Sequence, residues 1–401
     1  DNLIPRTRSF VEARQNPAAQ VAALLEVLRK RGQDKITVLT SQKLDAFKPW
    51  LEQLFSENLG KNGKGILPTS GESYDPALAA KGFYKDRVFL VIQTEGEPVD
   101  VEIREDIPVI HMTLPHLDSL GELFYLWEVV STFQGRLMNI NPFDEPAVLA
   151  SKDRTGEYIE ALTKGTFAEQ MTHVASDLEG AIHLDYGAVF QAEGGIEEWE
   201  LDLVLKRMDA SRDDIAAVYA ALLYLSRKKG REYATLLPYM RSSDVEEEAW
   251  GRWQALAQSV GSTTFVGEGP RYQHSALQLF MDGPNTGLHT LVAFDHDPSP
   301  ILVHDPSKPE LTFSQFIRAQ SLGTKRALED AGRMVVRFGI QEGDDAGTVL
   351  GDLFRESARY LESLMESEYP GVGRTMPSAE DGGRKISPFP IAFTAASKTE
   401  P

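Results

Sequence analysis

Short apolar runs of strand length recur along the chain with amphipathic segments of helix length between them, and no other feature narrows the possible folds as much. Lys35 to Thr40, Val88 to Gln93, Val109 to Leu114, Tyr233 to Tyr239, Thr263 to Val266, Leu288 to Phe294 and Met334 to Ile340 each read as a buried strand. Between them, Val21, Leu24, Leu25 and Leu28 recur at helical spacing in the stretch from Pro17 to Arg31. Phe47, Trp50, Leu51, Leu54 and Phe55 form a second stripe that Gly60 stops. Leu120 to Met138, Val245 to Val260, Phe313 to Ala331 and Thr348 to Glu366 read as further helices. Strands that alternate with helices imply a parallel sheet covered on both faces. The expectation is an α/β fold, a doubly wound parallel sheet over residues 1–345 with a helical excursion at about 152–230. A C-terminal helix over 346–370 and a loosely held Gly-, Pro- and Ser-rich tail over 371–401 follow.

The chain has 401 residues, 42% of them hydrophobic, enough to bury a real core. Its formal charge of −19 argues against nucleic-acid and anionic-membrane partners, which require clustered Lys and Arg. There is no cysteine, so disulfides, thiol catalysis and thiolate metal sites are excluded together. With no apolar run of membrane-spanning length and no basic-then-apolar leader, a soluble, cytoplasmic protein is expected. The chain opens on Asp1 rather than Met, and is read as an excerpt or a processed product.

Three polar or glycine-bearing segments stand out as junctions of strand and helix, where open α/β sheets place their ligands. Glu57-Asn58-Leu59-Gly60-Lys61-Asn62-Gly63-Lys64-Gly65 lacks the spacing of a phosphate-binding P-loop and reads by itself as a helix C-cap with solvated lysines. Asn139-Ile140-Asn141-Pro142-Phe143-Asp144-Glu145-Pro146, ahead of Lys152, reads as a turn and helix start capped by Asp144. Gly269-Pro270-Arg271-Tyr272-Gln273-His274-Ser275 leads to Gln278 and to Gly283-Pro284-Asn285-Thr286-Gly287. A lone His in such a place is more often structural than catalytic.

Taken together and in this order, the three segments resemble the glucose-6-phosphate isomerase module of bifunctional transaldolase/glucose-6-phosphate isomerases, from about Asn16 to Ile340. The resemblance implies a sugar isomerase domain, Rossmann-like or flavodoxin-like, that interconverts glucose 6-phosphate and fructose 6-phosphate through an enediol without a cofactor. By position it implies Glu57 as the base that moves a proton between C1 and C2, His274 in ring opening and Lys152 as an electrostatic partner. Lys61, Glu145, Arg271 and Gln278 match substrate-binding positions. Such chemistry needs a carboxylate that takes and returns one proton, and a cation that stabilises the developing enediolate. Three departures accompany the matches: Glu145 stands where the family has Gln, Phe280 and Met281 replace a His-Lys pair, and Asn58-Leu59 replaces Ser-Thr.

The family's Ser/Thr-rich phosphate loop and Gly-Gly-Arg segment have no counterpart here. The expected partners are therefore a hexose phosphate and an upstream sugar isomerase subdomain or transaldolase domain, with homo-oligomerisation left open. Thr40-Ser41 reads as a polar strand end. Departures and missing half together leave an alternative, a lapsed module that serves as a sugar-phosphate sensor or as a structural half of a larger multienzyme chain. Asp295, His296, Asp297, His304 and Asp305 offer metal-ligand chemistry. They are read instead as ordinary turn residues around Pro298 and Pro300, and no metal site is assigned.

Overall fold

The strands expected from the apolar runs form, and they hydrogen-bond into two sheets rather than one. The computed structural model describes residues 15–164, 166, 171, 173–177, 180–240, 243–295, 301–304, 307, 310–341 and 346–368. The chain divides between Glu145 and Pro146 into two units. The expected tail over 371–401 lies outside the described residues. Among those described, no helix is long and apolar enough to cross a membrane.

The first unit begins with α1 (Pro17–Lys30), whose first amides are held by the Asn16 side chain. There follow β1 (Lys35–Thr40), α2 (Phe47–Leu59), β2 (Leu67–Thr69), α3 (Pro76–Ala80), β3 (Arg87–Thr94), β4 (Val109–Leu114) and α4 (Leu120–Met138). The sheet runs β2-β1-β3-β4, every pair parallel. Val88, Phe89, Leu90, Val91 and Ile92 of β3 are all buried, as a strand covered on both faces requires. Phe47, Leu51 and Phe55 of α2 pack with Leu123, Leu126 and Trp127 of α4 in one core, where the Phe55 and Trp127 rings meet edge-on at 5.4 Å. Arg87, fully buried at the start of β3, pairs with Glu72 and donates to Thr37 Oγ1 at 2.8 Å.

The second unit contains α5 (Pro146–Thr163), β5 (Val174–Ser176), β6 (Ile182–Asp185), α6 (Ala188–Gln191), α7 (Glu198–Arg207), α8 (Ile215–Lys228), β7 (Tyr233–Pro238) and α9 (Asp244–Ser259). It continues through β8 (Thr263–Val266), α10 (Leu277–Asp282), β9 (Gly287–Phe294), α11 (Phe313–Asp330), β10 (Met334–Ile340) and α12 (Ala346–Glu368). Its sheet runs β5-β6-β10-β9-β7-β8. The last four of these are mutually parallel, while β6 is antiparallel to β10 and β5 to β6. This second sheet is therefore mixed, and the stretch expected as a helical excursion contributes two of its strands. Gly180, at φ +71°, supplies the left-handed turn that lets β6 return beside β5. Helix α5 lies close against α11 at Gly323, where an added methyl group would come within 2.7 Å of the Thr155 main-chain nitrogen.

At the carboxyl ends of β9 and β10 the Asp295 carboxylate gathers a buried polar cluster. Arg337, fully buried, places Nη1 3.0 Å from Asp295 Oδ2, and its Nη2 also donates to the carboxylate. Arg318 Nε lies 3.2 Å from Oδ1. His183 Nε2 of β6 lies 3.3 Å from Oδ2, and Gln341 Nε2 sits 2.8 Å from His183 Nδ1. The glycine at 339 is required by this cluster, because a methyl group there would overlap the Asp295 carboxylate and the His183 ring. Burial pushes the Asp295 carboxyl up, but Arg337, Arg318 and His183 more than offset it and hold the group below the ordinary carboxylate range. Its contribution to stability is thus complete above the unfolded value of about 3.9 and is lost as pH falls through the lower native value. Asp295→Asn, which leaves a buried guanidinium without its carboxylate, is expected to destabilise by about 3–5 kcal/mol at pH 7. Urea denaturation of both proteins checks this: the gap should narrow below about pH 4, and a constant gap from pH 7 to 3 contradicts it.

Candidate active site

Segments one and two come together in the first unit through a two-residue turn. Lys61 and Lys64 exchange main-chain hydrogen bonds of 3.0 Å in both directions around Asn62 (φ 55°) and Gly63 (φ 68°). Positive φ at both central residues is the mark of a type I′ turn, which an Asn-Gly pair favours. The turn aims both ammonium groups at the far end of α4. Lys64 Nζ donates to the Met138 carbonyl at 2.7 Å, one of the carbonyls that a helix terminus leaves open. Lys61 Nζ donates to the carbonyls of Asn141, at 2.8 Å, and Asp144, and lies 3.0 Å from Asp144 Oδ1.

An ammonium has three protons, and the three partners of Lys61 account for them. The side chain is buried. The expectation of solvated lysines is therefore corrected: Lys61 belongs to the scaffold of the second segment. Within that segment Asn141 Oδ1 accepts from the Phe143 amide at 3.1 Å, and Asn141 Nδ2 donates to Asp144 Oδ2 at 2.8 Å. The Lys61 ammonium holds the Asp144 carboxyl below its ordinary range. Pro142 folds back on Gly135 of α4, where a methyl group would come within 2.8 Å of the proline ring. Glu145 is exposed.

Glu57 sits half-buried in the last turn of α2, where Gln53 Nε2 donates to its Oε2 at 3.3 Å. The next residue, Asn58, donates to Ser131 Oγ at 3.2 Å and ties α2 to α4. Because β1 and β2 are parallel, α2 must run back along the sheet, so its C-terminus and Glu57 lie at the amino ends of the strands. The second segment, at the end of α4, approaches the same edge. Of the three segments, only the third leaves the carboxyl end of a strand.

That third segment follows β8 in the second unit. Strand β8 lies on one side of β7 and β9 on the other, which makes the carboxyl ends of β7 and β9 a topological switch point. Arg271 to His274 form one 3-10 turn, in which residues three apart share a face. Arg271 and His274 are accordingly both exposed, while Tyr272 and Gln273 between them are buried. Lys152 is exposed on α5, next to the buried Ser151. Gln278 is fully buried, and its Oε1 accepts from the Ala147 amide in the first turn of α5 at 2.9 Å. The expected cap of this helix, Asp144, is held by Lys61 instead.

The sequence patterns give no warning of a buried network beneath these residues. Tyr239 OH lies 2.6 Å from Tyr272 OH and donates to Thr324 Oγ1 of α11 at 2.9 Å. Gln273 Nε2 donates to Tyr239 OH at 2.9 Å and to Thr324 Oγ1 at 2.7 Å. Thr324 Oγ1 in turn lies 3.1 Å from Ser151 Oγ of α5. Burial pushes the Tyr239 hydroxyl up to about 12 and Tyr272 also well above its usual value, so both stay protonated at neutral pH. The available signal in the sequence is the row Ala319, Gly323, Ala327 on α11, small residues four apart where another helix can come close.

Phe280 and Met281, the departures that replace a His-Lys pair, are buried. The Phe280 ring packs 5.2 Å from Phe265 and 5.0 Å from His289. Of the residues weighed for metal binding, Asp295 is engaged by Arg337 and Arg318, and His296, Asp297 and Asp305 lie outside the described residues. Among those described, no group of three or more His, Asp or Glu is placed to hold a metal ion.

No protein-family model matches the chain. A hypothetical protein of Thermus thermophilus, known from a crystal structure, aligns over 86% of this chain and 82% of its own, at 15% identity and a TM-score of 0.31, too low to carry an argument. The chain is 29% identical to the glucose-6-phosphate isomerase of Streptococcus gordonii over 180 aligned residues, covering 34% of this chain and 40% of that enzyme. The glucose-6-phosphate isomerase of Staphylococcus saprophyticus is 27% identical over 179 residues, with the same coverage. The match spans 40% of the length of these curated relatives, and over that part the chain is similar to glucose-6-phosphate isomerases.

Proposed function

We propose that the chain carries proton-transfer residues of an aldose–ketose isomerase acting on glucose 6-phosphate and fructose 6-phosphate. The observation that carries this reading is how the motif residues divide. Lys61 and Gln278 are buried and hydrogen-bond to the main chain on either side of Glu145, Lys61 at Asn141 and Asp144 and Gln278 at Ala147. Glu57, Lys152, Arg271 and His274, the residues with chemistry to offer, all reach solvent. The partial similarity to glucose-6-phosphate isomerases supports the same reading.

In the proposed reaction His274 exchanges a proton with the ring oxygen as the sugar opens. The Glu57 carboxylate then takes the proton from C2 of the open aldose and returns it to C1 on the same face of the enediol. Lys152 offsets the negative charge that grows on the enediolate oxygen, and Arg271, on the same face as His274, meets an anionic group in this proposal. Proton transfer supplies all of this chemistry, and no cofactor enters it. Lys61 and Gln278 act indirectly, as the supports of the second segment and of α5.

Glu57→Gln keeps the shape of the side chain and removes the proton acceptor. Turnover in a coupled isomerase assay should fall by about two to four orders of magnitude. Affinity for 6-phosphogluconate, measured by titration calorimetry, should change far less. Undiminished turnover in Glu57→Gln removes this assignment, and with it the proposed role of the first segment.

A further inference from the structure

Thr324 belongs to no motif, and its hydrogen-bond partners are buried: four buried side chains converge on or beside its hydroxyl. A hydroxyl has one proton to give and two lone pairs. Thr324 Oγ1 accepts from Tyr239 OH and from Gln273 Nε2, which fills both lone pairs and leaves its own proton for Ser151 Oγ. Tyr239 is saturated in the same way: it donates to Thr324 and accepts from Gln273 and Tyr272. The direction of the whole chain follows, from Tyr272 to Tyr239 to Thr324 to Ser151.

Ser151 immediately precedes Lys152, and Tyr272 and Gln273 immediately precede His274. Thr324, Ser151 and Tyr272 are buried almost completely, so water does not substitute for a missing partner. The close approach of α5 and α11 at Gly323 sets the distance across which the Thr324 and Ser151 hydroxyls meet. Lys152 and His274 are themselves exposed, and the buried neighbours are what fix the backbone from which each projects.

Resting on the isomerase reading above, we infer that Thr324 is a positioning residue for that reaction, holding the Lys152 helix and the His274 turn in register through Ser151, Tyr239 and Gln273. Proton transfer tolerates little displacement, and a shift of about 1 Å can cost a hundredfold in rate. The role differs from that of a packing residue in needing the hydroxyl and not merely the volume.

The test compares Thr324→Val, which keeps the shape and removes the hydroxyl, with Thr324→Ser, which keeps the hydroxyl, in the full chain. Thr324→Val should lower kcat by about tenfold to a hundredfold with KM within about threefold. Thr324→Ser should stay within about threefold of wild type in both. Hydrogen exchange read by mass spectrometry should show faster exchange over residues 271–275 in the valine variant and not in the serine variant. If Thr324→Val does not fold, Tyr239→Phe, which removes one donor to Thr324, should lower kcat in the same direction. Wild-type kcat in folded Thr324→Val, or equal loss in valine and serine variants, overturns the inference. A wild-type chain without isomerase activity overturns the isomerase reading instead, a result distinguishable from either.

Discussion

A polar group taken out of water must find its partner inside the protein, and in this chain that requirement decides which polar residues become scaffold. The Lys61 ammonium, buried beneath the turn at Asn62-Gly63, binds two carbonyls and a carboxylate and thereby shapes the loop from Asn141 to Asp144. Gln278, buried in α10, satisfies an amide in the first turn of α5. Asp295 joins the two parallel strands β9 and β10 to the antiparallel β6 by binding Arg337, Arg318 and His183. Lys61 and Gln278, buried motif residues, thus use hydrogen bonds to hold backbone in place.

The exposed motif residues are the complement of that scaffold. Arg271 and His274 share a face because the segment closes into a single 3-10 turn, and the buried Tyr272 and Gln273 face the other way into the hydroxyl network. Lys152 projects from a helix whose first turn is fixed by Gln278 and whose flank is fixed by Ser151. Phe280 and Met281 read in the sequence as departures that replace a His-Lys pair. Both are buried, and the Phe280 ring packs beside Phe265 and His289 within the second unit.

Much of the secondary structure is legible in the sequence. Val109–Leu114, Thr263–Val266 and Met334–Ile340 are strands with the bounds that their apolar runs suggest, and Leu120–Met138 is a helix with the expected ends. Hydrophobic periodicity reports on a local segment and its buried face, however, and not on which strands pair. For that reason two sheets read as one. The strands that the pattern misses have their own reasons. Leu67–Thr69 is three residues long and carries a proline, while Ile182–Asp185 holds a histidine and an aspartate whose burial depends on Asp295 and Lys325 arriving from elsewhere. Lys61 and Thr324 are illegible for the same reason: a lysine after a helix and a threonine within one look solvated until the partner segment is in place.

The central claim is that the chain moves a proton between C1 and C2 of a hexose 6-phosphate, and isotope exchange reports on that step even where net conversion is slow. Incubation of the chain with fructose 6-phosphate or glucose 6-phosphate in deuterium oxide, followed by proton NMR of the recovered sugar, measures it directly. The account predicts enzyme-dependent deuterium at C2 of the aldose and C1 of the ketose. Exchange at the rate of the enzyme-free control, with the sugar phosphate nonetheless bound, would contradict it.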